Sequence, residues 1–458
     1  MTECTQSSFD LQAHFSRGVV ARFDGGAMTS DAGAVLLRET DRRLNLMPRL
    51  AACFEDHRQP WLVSHTVQEM VAQRVYALAL GYEDLNDHDQ LREDPLLGVL
   101  SGKARVGEEP LAGKSTLNRL ELGGEKPSRY KKIHYRQEDL DALLIQVFLE
   151  AHGAAPEQIV LDLDTTDLPL HGHQEDRFFH GYYDSYCYLP LYIFIGEHLL
   201  CARLRAADQD AAAGSKDEVE RIVGRIRASW PEVRIIVRAD SGFCREELMK
   251  WCEENGVLYA FGFARNPRLR RLIEPQMQQA AQIHQQTGEP ARVFTEFSYE
   301  TTTGSWSRSR RVVAKAEQIE GKENPRFVVT NLSAEEWPAQ RLYEDLYCER
   351  GEMENRIKEQ LSLFAGRVSA ETVRANQLRV YFAAMAYVLM HGLRRLGLKG
   401  TELERAQATT IRLRLLKIGA QIRITVRKVW LSMASSYPLQ RLFGQVHQNL
   451  RLAVAPGG

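Results

Sequence analysis

No two cysteines of this chain stand at ligand spacing. The seven, Cys4, Cys53, Cys187, Cys201, Cys244, Cys252 and Cys348, are scattered and form no Cys-x-x-Cys. That pattern signals neither a zinc cluster nor a disulfide framework, and a reducing cytoplasm is the expected setting. Long apolar runs are also missing. The longest is "VYFAAMAYVLM", Val380 to Met390, well short of the about 20 residues a bilayer takes; it reads as a core helix, with no membrane partner. Charge of one sign is absent in bulk: 59 Lys+Arg against 60 Asp+Glu leave a net charge of −1. Composition therefore gives no global argument for nucleic acid or for an acidic surface. The polar opening "MTECTQSSFD" lacks the apolar stretch of a signal peptide. No internal repeat or low-complexity tract stands out.

What is present is core-forming material, 44% hydrophobic in 458 residues, a length that suggests roughly three domains. Periodicity makes residues 1–150 a mainly helical N-terminal region. Thr29 and Ser30 are cap candidates for "TSDAGAVLLRETDRRL"; Thr66 and Glu69 form a capping-box pattern ahead of "VQEMVAQRVYALALG"; "STLNRLE" is a short helix. From residue 156 the pattern switches. "QIVLDLDTT" is a strand, "YLPLYIFIGEHLLCARLR" a hairpin turning at Gly196 and Glu197, and "EVRIIVRADSG", "REELMKWCEENG" and "VLYAFGFA" are strand, helix and strand. This is an α/β reading: a mixed sheet flanked by helices over 156–265. Residues 266–335 read as a β-rich insertion. A long helix is expected from Ser333 through "YCERGEMENRIKE", and a second over 371–396, completing a core segment at 336–396. The basic region 397–458 contains "IRLRLLKIGAQIRITVRKVWLSM", whose alternation predicts strands.

The stretch "IVLDLDTTD" poses a chemical problem. Aspartate is disfavoured in strands and costly to bury unpaired, yet Asp162, Asp164 and Asp167 sit there. Side chains alternate along a strand, so Asp162, Asp164 and Thr166 share one face. Asp240 closes another strand in "RIIVRADSG". On the later helix, Tyr347, Arg350, Glu354 and Lys358 fall within a sector of roughly 80° at ~100° per residue. Three carboxylates meeting in one place need a cation between them, and hard oxygen donors suit Mg²⁺ or Mn²⁺. Two such ions ~3.5–4 Å apart serve phosphodiester chemistry. A turn-forming aspartate and a solvated salt-bridge ladder are the ordinary alternatives at these positions.

Here the sequence resembles a family. "LDTTD", "VRADSGF" and "YCERGEMENRIKE" look like the Asp, Asp, Glu signature of DDE transposases with an RNase H-like core, and the helix matches the Tyr-x2-Arg-x3-Glu pattern of IS-four-type insertion sequences. The order of "FDGGAMTSDAGAVLLRE", "GYEDLNDHDQLREDPLL", "DLDTTDLPLHG", "YLPL", "RADSGF" and "RGEMENRIKE" resembles the IS-thirteen-eighty group of bacterial transposases, from about Phe23 to beyond residue 430. The resemblance implies Asp164, Asp240 and Glu354 as catalytic and metal-binding residues, with Mg²⁺ or Mn²⁺ as cofactor. Asp164 is preferred to Asp162 because Thr165 and Thr166 follow it. The family pattern has Lys seven residues after the Glu; this chain has Leu361, and Lys358 offers a substitute charge. Also implied are cut-and-paste DNA transposition, double-stranded DNA partners (terminal inverted repeats and target), a homodimer on DNA and a nucleoid-associated cytoplasmic location. A nuclease without strand transfer and a DNA-binding protein without catalysis are the alternatives.

Charge is uneven despite the neutral total. Residues 101–136 carry nine Lys/Arg and four Glu, and residues 393–428 ten and two. With "RNPRLRRL" these are the candidate phosphate-binding surfaces, and Arg119, Lys131 and Lys132 are the residues expected to bind DNA, alongside Tyr347, Arg350 and Lys358 near the cut. Trp306 in "SWSRSRR" is a candidate for stacking on a base, with a core or hairpin tryptophan at least as good a reading. Gly113-Lys114-Ser115 ends like a P-loop, but position 108 is Glu108 and Gly107 is one place early. His171, His173 and His180 read as loop residues, and "EDLNDHDQLRED" lacks the glycine and final glutamate of an EF-hand.

Overall fold

Residues 8–103, 109–302 and 304–453 are described in the computed structural model of the chain; Cys4, Gly107 and Glu108 lie outside them. The strand signals after residue 156 build one sheet. Numbered within it, its strands are β1 (Gln158–Thr165), β2 (Leu191–Ile195), β3 (His198–Arg203), β4 (Arg234–Ala239) and β5 (Leu258–Phe263), then β6 (Ala291–Tyr299), β7 (Arg310–Ile319), β8 (Lys322–Glu323) and β9 (Arg326–Thr330). The order is β3-β2-β1-β4-β5-β9-β7-β6, with β8 on β7. β4 runs parallel to β1 and to β5, while β2 and β9 are antiparallel to their neighbours. β2 and β3 need only the tight turn at Gly196, which has φ +57°. The parallel joins need crossovers, and the helices Ser215–Ser229 and Glu246–Glu254 supply them.

Alternation assigns the two faces. Ile159, Leu161 and Leu163 pack with Val219, Ile222, Met249 and the odd residues of β4. Val160 lies on the opposite face, over Ile236, Ala260 and Val328 and under Leu342 and Leu346. The second face is thus covered by the helix that carries Arg350.

That helix differs from the sequence expectation. It starts at Ala339, not near Ser333, because Pro338 has ψ 151° and an extended backbone; Ser333 caps only a single turn, its Oγ accepting from the Glu336 N–H at 3.3 Å and its carbonyl from the Trp337 N–H at 3.0 Å. It is also irregular: a π turn over Leu342–Tyr347 and a 3₁₀ turn over Cys348–Arg350 precede the α-helix Gly351–Ser362. The 266–335 stretch opens with helices Pro267–Leu272 and Glu274–Thr287, and its strands β6 to β9 extend the main sheet through the β5–β9 pair. "IRLRLL" is helical (Ala408–Ile411 and Arg412–Leu416); only "AQIRI" and "VWLSM" are strands.

The N-terminal region is helical with exceptions at its edges. Ser8–His14 and Arg17–Arg22 form an exposed hairpin, and Phe54–Asp56 pairs with Ile133–Tyr135. Thr29 is in a short strand and does not cap a helix; Asp31 precedes the first turn. The helix Val67–Leu80 begins with the expected Thr66–Glu69 capping box and ends at Gly81, φ +101°. Its core is shared with residues far down the chain. Val71, Val75 and Leu117 pack with Tyr381 and Met385 of the helix Val373–Leu396 and with Leu415 and Leu450. Among the described residues, no helix is long and apolar enough to cross a membrane.

Candidate active site

β1 and β4 deliver two carboxylates to one edge. In register, Arg238 lies opposite Asp162 and Ala239 opposite Leu163, so Asp240 follows level with Asp164. Adjacent strands run about 4.8 Å apart, and both aspartates stand at strand ends, where an α/β sheet opens a crevice. Asp240 Oδ1 accepts from the Gly242 N–H at 2.8 Å, bending the chain into the turn Ser241–Phe243. Asp164 Oδ1 accepts from the Thr165 N–H at 2.8 Å, and its Oδ2 lies 3.3 Å from Arg350 Nη1.

The helix brings the rest. A 3₁₀ turn has about three residues per turn, so Cys348–Arg350 sets Arg350 directly above Tyr347. Burial works against the charge of Arg350, but Asp164, Tyr347, Asp240 and Glu354 outweigh it and raise its pKa. Burial pushes the Asp164 carboxyl up to about 6; the Asp240 and Glu354 charges add to this, while Arg350 and the Thr165 N–H oppose it. Glu354 itself is exposed. The Tyr347 phenol reaches the Asp240 turn. A Cβ on Gly262 of β5 would stand 2.4 Å from Tyr347 Oη, 2.9 Å from Ser241 N and 3.2 Å from Asp240 C. Gly262 is there because the hydroxyl and the turn occupy its side-chain space.

Asp162 has a different fate from Asp164. It is buried, 6% exposed, and gripped by Arg238, with Nε–Oδ1 2.5 Å and Nη2–Oδ2 2.8 Å. Both of its oxygens are thus spent on one guanidinium.

The structure therefore gathers Asp164, Asp240, Tyr347, Arg350 and Glu354 around one edge. Lys358 is exposed and forms no ion pair among the described residues. Trp306 does not offer a free face for a base. Its ring lies 5.0 Å from Phe263 and 5.7 Å from Tyr299, with the Arg310 guanidinium over it at 5.3 Å; apolar packing at the sheet end explains the residue. Arg119 and Lys132 line one cleft of about 250 Å³ with Arg58, Arg129 and Tyr130. Lys131 is exposed, and its N–H binds Ser128 Oγ at 3.0 Å. Sequence reasoning missed Arg238, Gly262, Arg58, Arg129 and Tyr130. For Arg238 a signal existed, a charge on the same strand face as Asp240, two residues before it and after the apolar Ile235, Ile236 and Val237.

One set of metal-ligating side chains among the described residues is drawn within 4.8 Å: Glu55, His57 and His134. It belongs to the small Phe54–Asp56/Ile133–Tyr135 sheet. Glu55 is already engaged there, 3.4 Å from Arg136 and 3.5 Å from His57. The carboxylates at the β1–β4 edge are spaced more widely, around Arg350.

Comparison with known proteins gives one family. Residues 11–455 match the family described as Transposase DDE domain group 1. No curated protein matches the chain. Among solved structures, a piggyBac transposase synaptic complex with hairpin DNA, determined by cryo-EM, aligns with a TM-score of 0.40 and 9% identity, covering 85% of this chain and 80% of that one.

Proposed function

The chain belongs to the Transposase DDE domain group 1 family, and on that premise we propose that it is the transposase of a bacterial insertion sequence of the IS-thirteen-eighty group, acting by Mg²⁺- or Mn²⁺-dependent cleavage and strand transfer. The observation that carries this reading is the level exit of Asp164 and Asp240 from adjacent parallel strands, beneath a helix that adds Arg350 and Glu354. The antiparallel β3-β2-β1 meander followed by parallel β4 and β5 supports an RNase H-like core.

Asp164, Asp240 and Glu354 would hold the divalent ions. Asp164 fits that role: its carboxyl is strained upward by burial and by like charges, and a hard cation offsets both. When bound, two such ions lower the pKa of an attacking water or 3′-hydroxyl and neutralise the leaving oxygen. The chain's own groups do the rest. Arg350 balances the carboxylates, and its planar fork would grip a phosphate near the cut. Tyr347, seated on Gly262, fixes Arg350 against the Asp240 turn. Lys358, exposed one turn beyond Glu354, would bind phosphate near the cut together with Arg350. The cleft of Arg119, Arg129 and Lys132 binds the terminal repeat, with Lys131 at its margin. A homodimer on DNA, each copy cutting one end, completes the reaction.

The test is incubation of the purified chain with DNA carrying the inverted repeats that flank its gene, in Mg²⁺ and in EDTA. Metal-dependent nicks at the repeat ends and joined target products are expected. Nicks without joining favour a nuclease; end binding with no cleavage in Mg²⁺ overturns the catalytic reading.

A further inference from the structure

The sheet carries a second charged pair beside the candidate active site, and its geometry is more demanding than stability needs. Asp162 and Arg238 are register partners on β1 and β4. Both are nearly inaccessible, at 6% and 5% exposure. Arg238 spends Nε and Nη2 on the two Asp162 oxygens, at 2.5 and 2.8 Å. Its remaining Nη1 donates to the Leu346 carbonyl and lies 3.5 Å from Glu349 Oε2. Leu346 sits in the π turn Leu342–Tyr347, where the widened turn departs from i→i+4 pairing and the carbonyl takes the Arg238 donor. One guanidinium thus ties together three elements.

Each of those elements carries one of the proposed metal ligands. Asp164 lies two residues past Asp162, on the same face of β1, and Asp240 two past Arg238, on the same face as β4 leaves the sheet. Glu354 lies two helical turns past Leu346. A buried ion pair is poor evidence for stability, because apolar residues of similar volume often serve as well. What apolar residues cannot do is fix a strand–strand–helix register through three directed hydrogen bonds, and Lys lacks the planar fork.

We propose that Asp162 and Arg238 are a positioning pair that sets the helix 339–362 against β1 and β4, and so the spacing of Asp164, Asp240 and Glu354, without themselves binding metal. This rests on the metal-dependent reading above. It also assigns the strand's first aspartate: Asp162 is there to hold Arg238.

The test uses the full chain with the double variant Asp162→Leu/Arg238→Met, and with Asp162→Asn as a milder change should the double variant not fold. Hydrogen exchange, Tm, end affinity and single-turnover cleavage are measured in Mg²⁺ and in Mn²⁺. Amide protection over 342–350 should fall at least about tenfold while β1 and β4 keep theirs. Tm and end affinity should stay near wild type. Cleavage in Mg²⁺ should fall about 100-fold, the cost of an ångström-scale misplacement, with a higher half-saturating metal concentration. Mn²⁺ should restore part of the rate, because Mg²⁺ is the ion that demands near-ideal geometry. Unchanged protection over 342–350, or a wild-type Mg²⁺ response in a folded variant, overturns the positioning role. The exchange result stands independently of cleavage: loss of protection in a chain whose wild type never cuts DNA would condemn the transposase reading and leave the clamp.

Discussion

Replacing Asp164 with Asn should make the metal-free protein more stable while ending its chemistry. Asp164 has a raised pKa, about 6 against a usual 3.8, chiefly from burial. A carboxyl shifted upward favours the folded state fully below its unfolded value, and that advantage is lost as pH rises through the folded value. Above about pH 7 the ionised side chain therefore costs roughly 3 kcal/mol, at about 1.4 kcal/mol per unit. Asn cannot ionise, keeps an oxygen for the Thr165 N–H, and escapes the cost. Unfolding entropy of ~2.1 cal/mol/K per residue over 458 residues is ~1 kcal/mol/K, so the expected gain in Tm is about 3 °C. The gain should be pH-dependent: full at pH 7.5, roughly half at pH 5 and about a fifth at pH 4. The assay is scanning calorimetry in EDTA at these pH values, repeated with Mg²⁺. Added Mg²⁺ should raise the Tm of the wild type by mass action and leave Asp164→Asn nearly unmoved. An Asn variant no more stable than wild type at pH 7.5, or a gain that ignores pH, would refute the argument that this carboxylate is held under strain for a cation.

Asp240→Ala and Glu354→Ala should each abolish cleavage with end binding retained in a gel-shift assay; a Glu354→Ala enzyme that cuts normally removes the helix from the metal site. Gly262→Ala should lower stability by about 1–3 kcal/mol, as overpacking does, and slow cleavage further by displacing Tyr347; adding Tyr347→Phe should recover part of the stability in thermal melts, and no recovery would show that the Ser241 backbone contact dominates. Arg350→Lys should bind ends normally and cleave poorly in single-turnover measurements, whereas a solvated salt-bridge partner, worth about 0–1 kcal/mol, would tolerate the change. Arg119→Ala with Lys132→Ala should weaken end binding and flatten the log–log salt dependence by about 0.9 per lost phosphate contact; an unchanged slope moves the DNA to another surface.

The parts of this fold legible in the sequence are those governed by local rules. The Thr66–Glu69 capping box, the Gly196 turn and the apolar alternation of β1 and β4 each depend on neighbours a few residues away, and each appears where the pattern puts it. What the sequence hid depends on distant groups. The helix over 339–362 looks regular on periodicity, but its π turn is held by Arg238, a hundred-odd positions upstream. Trp306 among arginines left a stacking surface and a core or hairpin position both open; its ring packs against Phe263 and Tyr299, a choice no local pattern makes. Nothing local marks Gly262 in its strand; its reason is the Tyr347 hydroxyl that occupies its side-chain space.

The same distinction explains the two aspartates on one strand. By alternation they are equivalent, on the same face and two residues apart; only the threonines after Asp164 distinguish them in the sequence. What separates them is the neighbouring strand. β4 places Arg238 level with Asp162 and Asp240 level with Asp164, so the inner carboxylate meets an opposite charge and the outer one a like charge. The inner pair is satisfied within the protein, and burial without solvent access keeps it so. The outer pair is left with Arg350 at 3.3 Å as its partial counter-charge and with Glu354 adding to the repulsion. A two-residue step along adjacent strands thus turns one charge pattern into a closed ion pair at Asp162 and Arg238 and an open pair of like-charged carboxylates at Asp164 and Asp240.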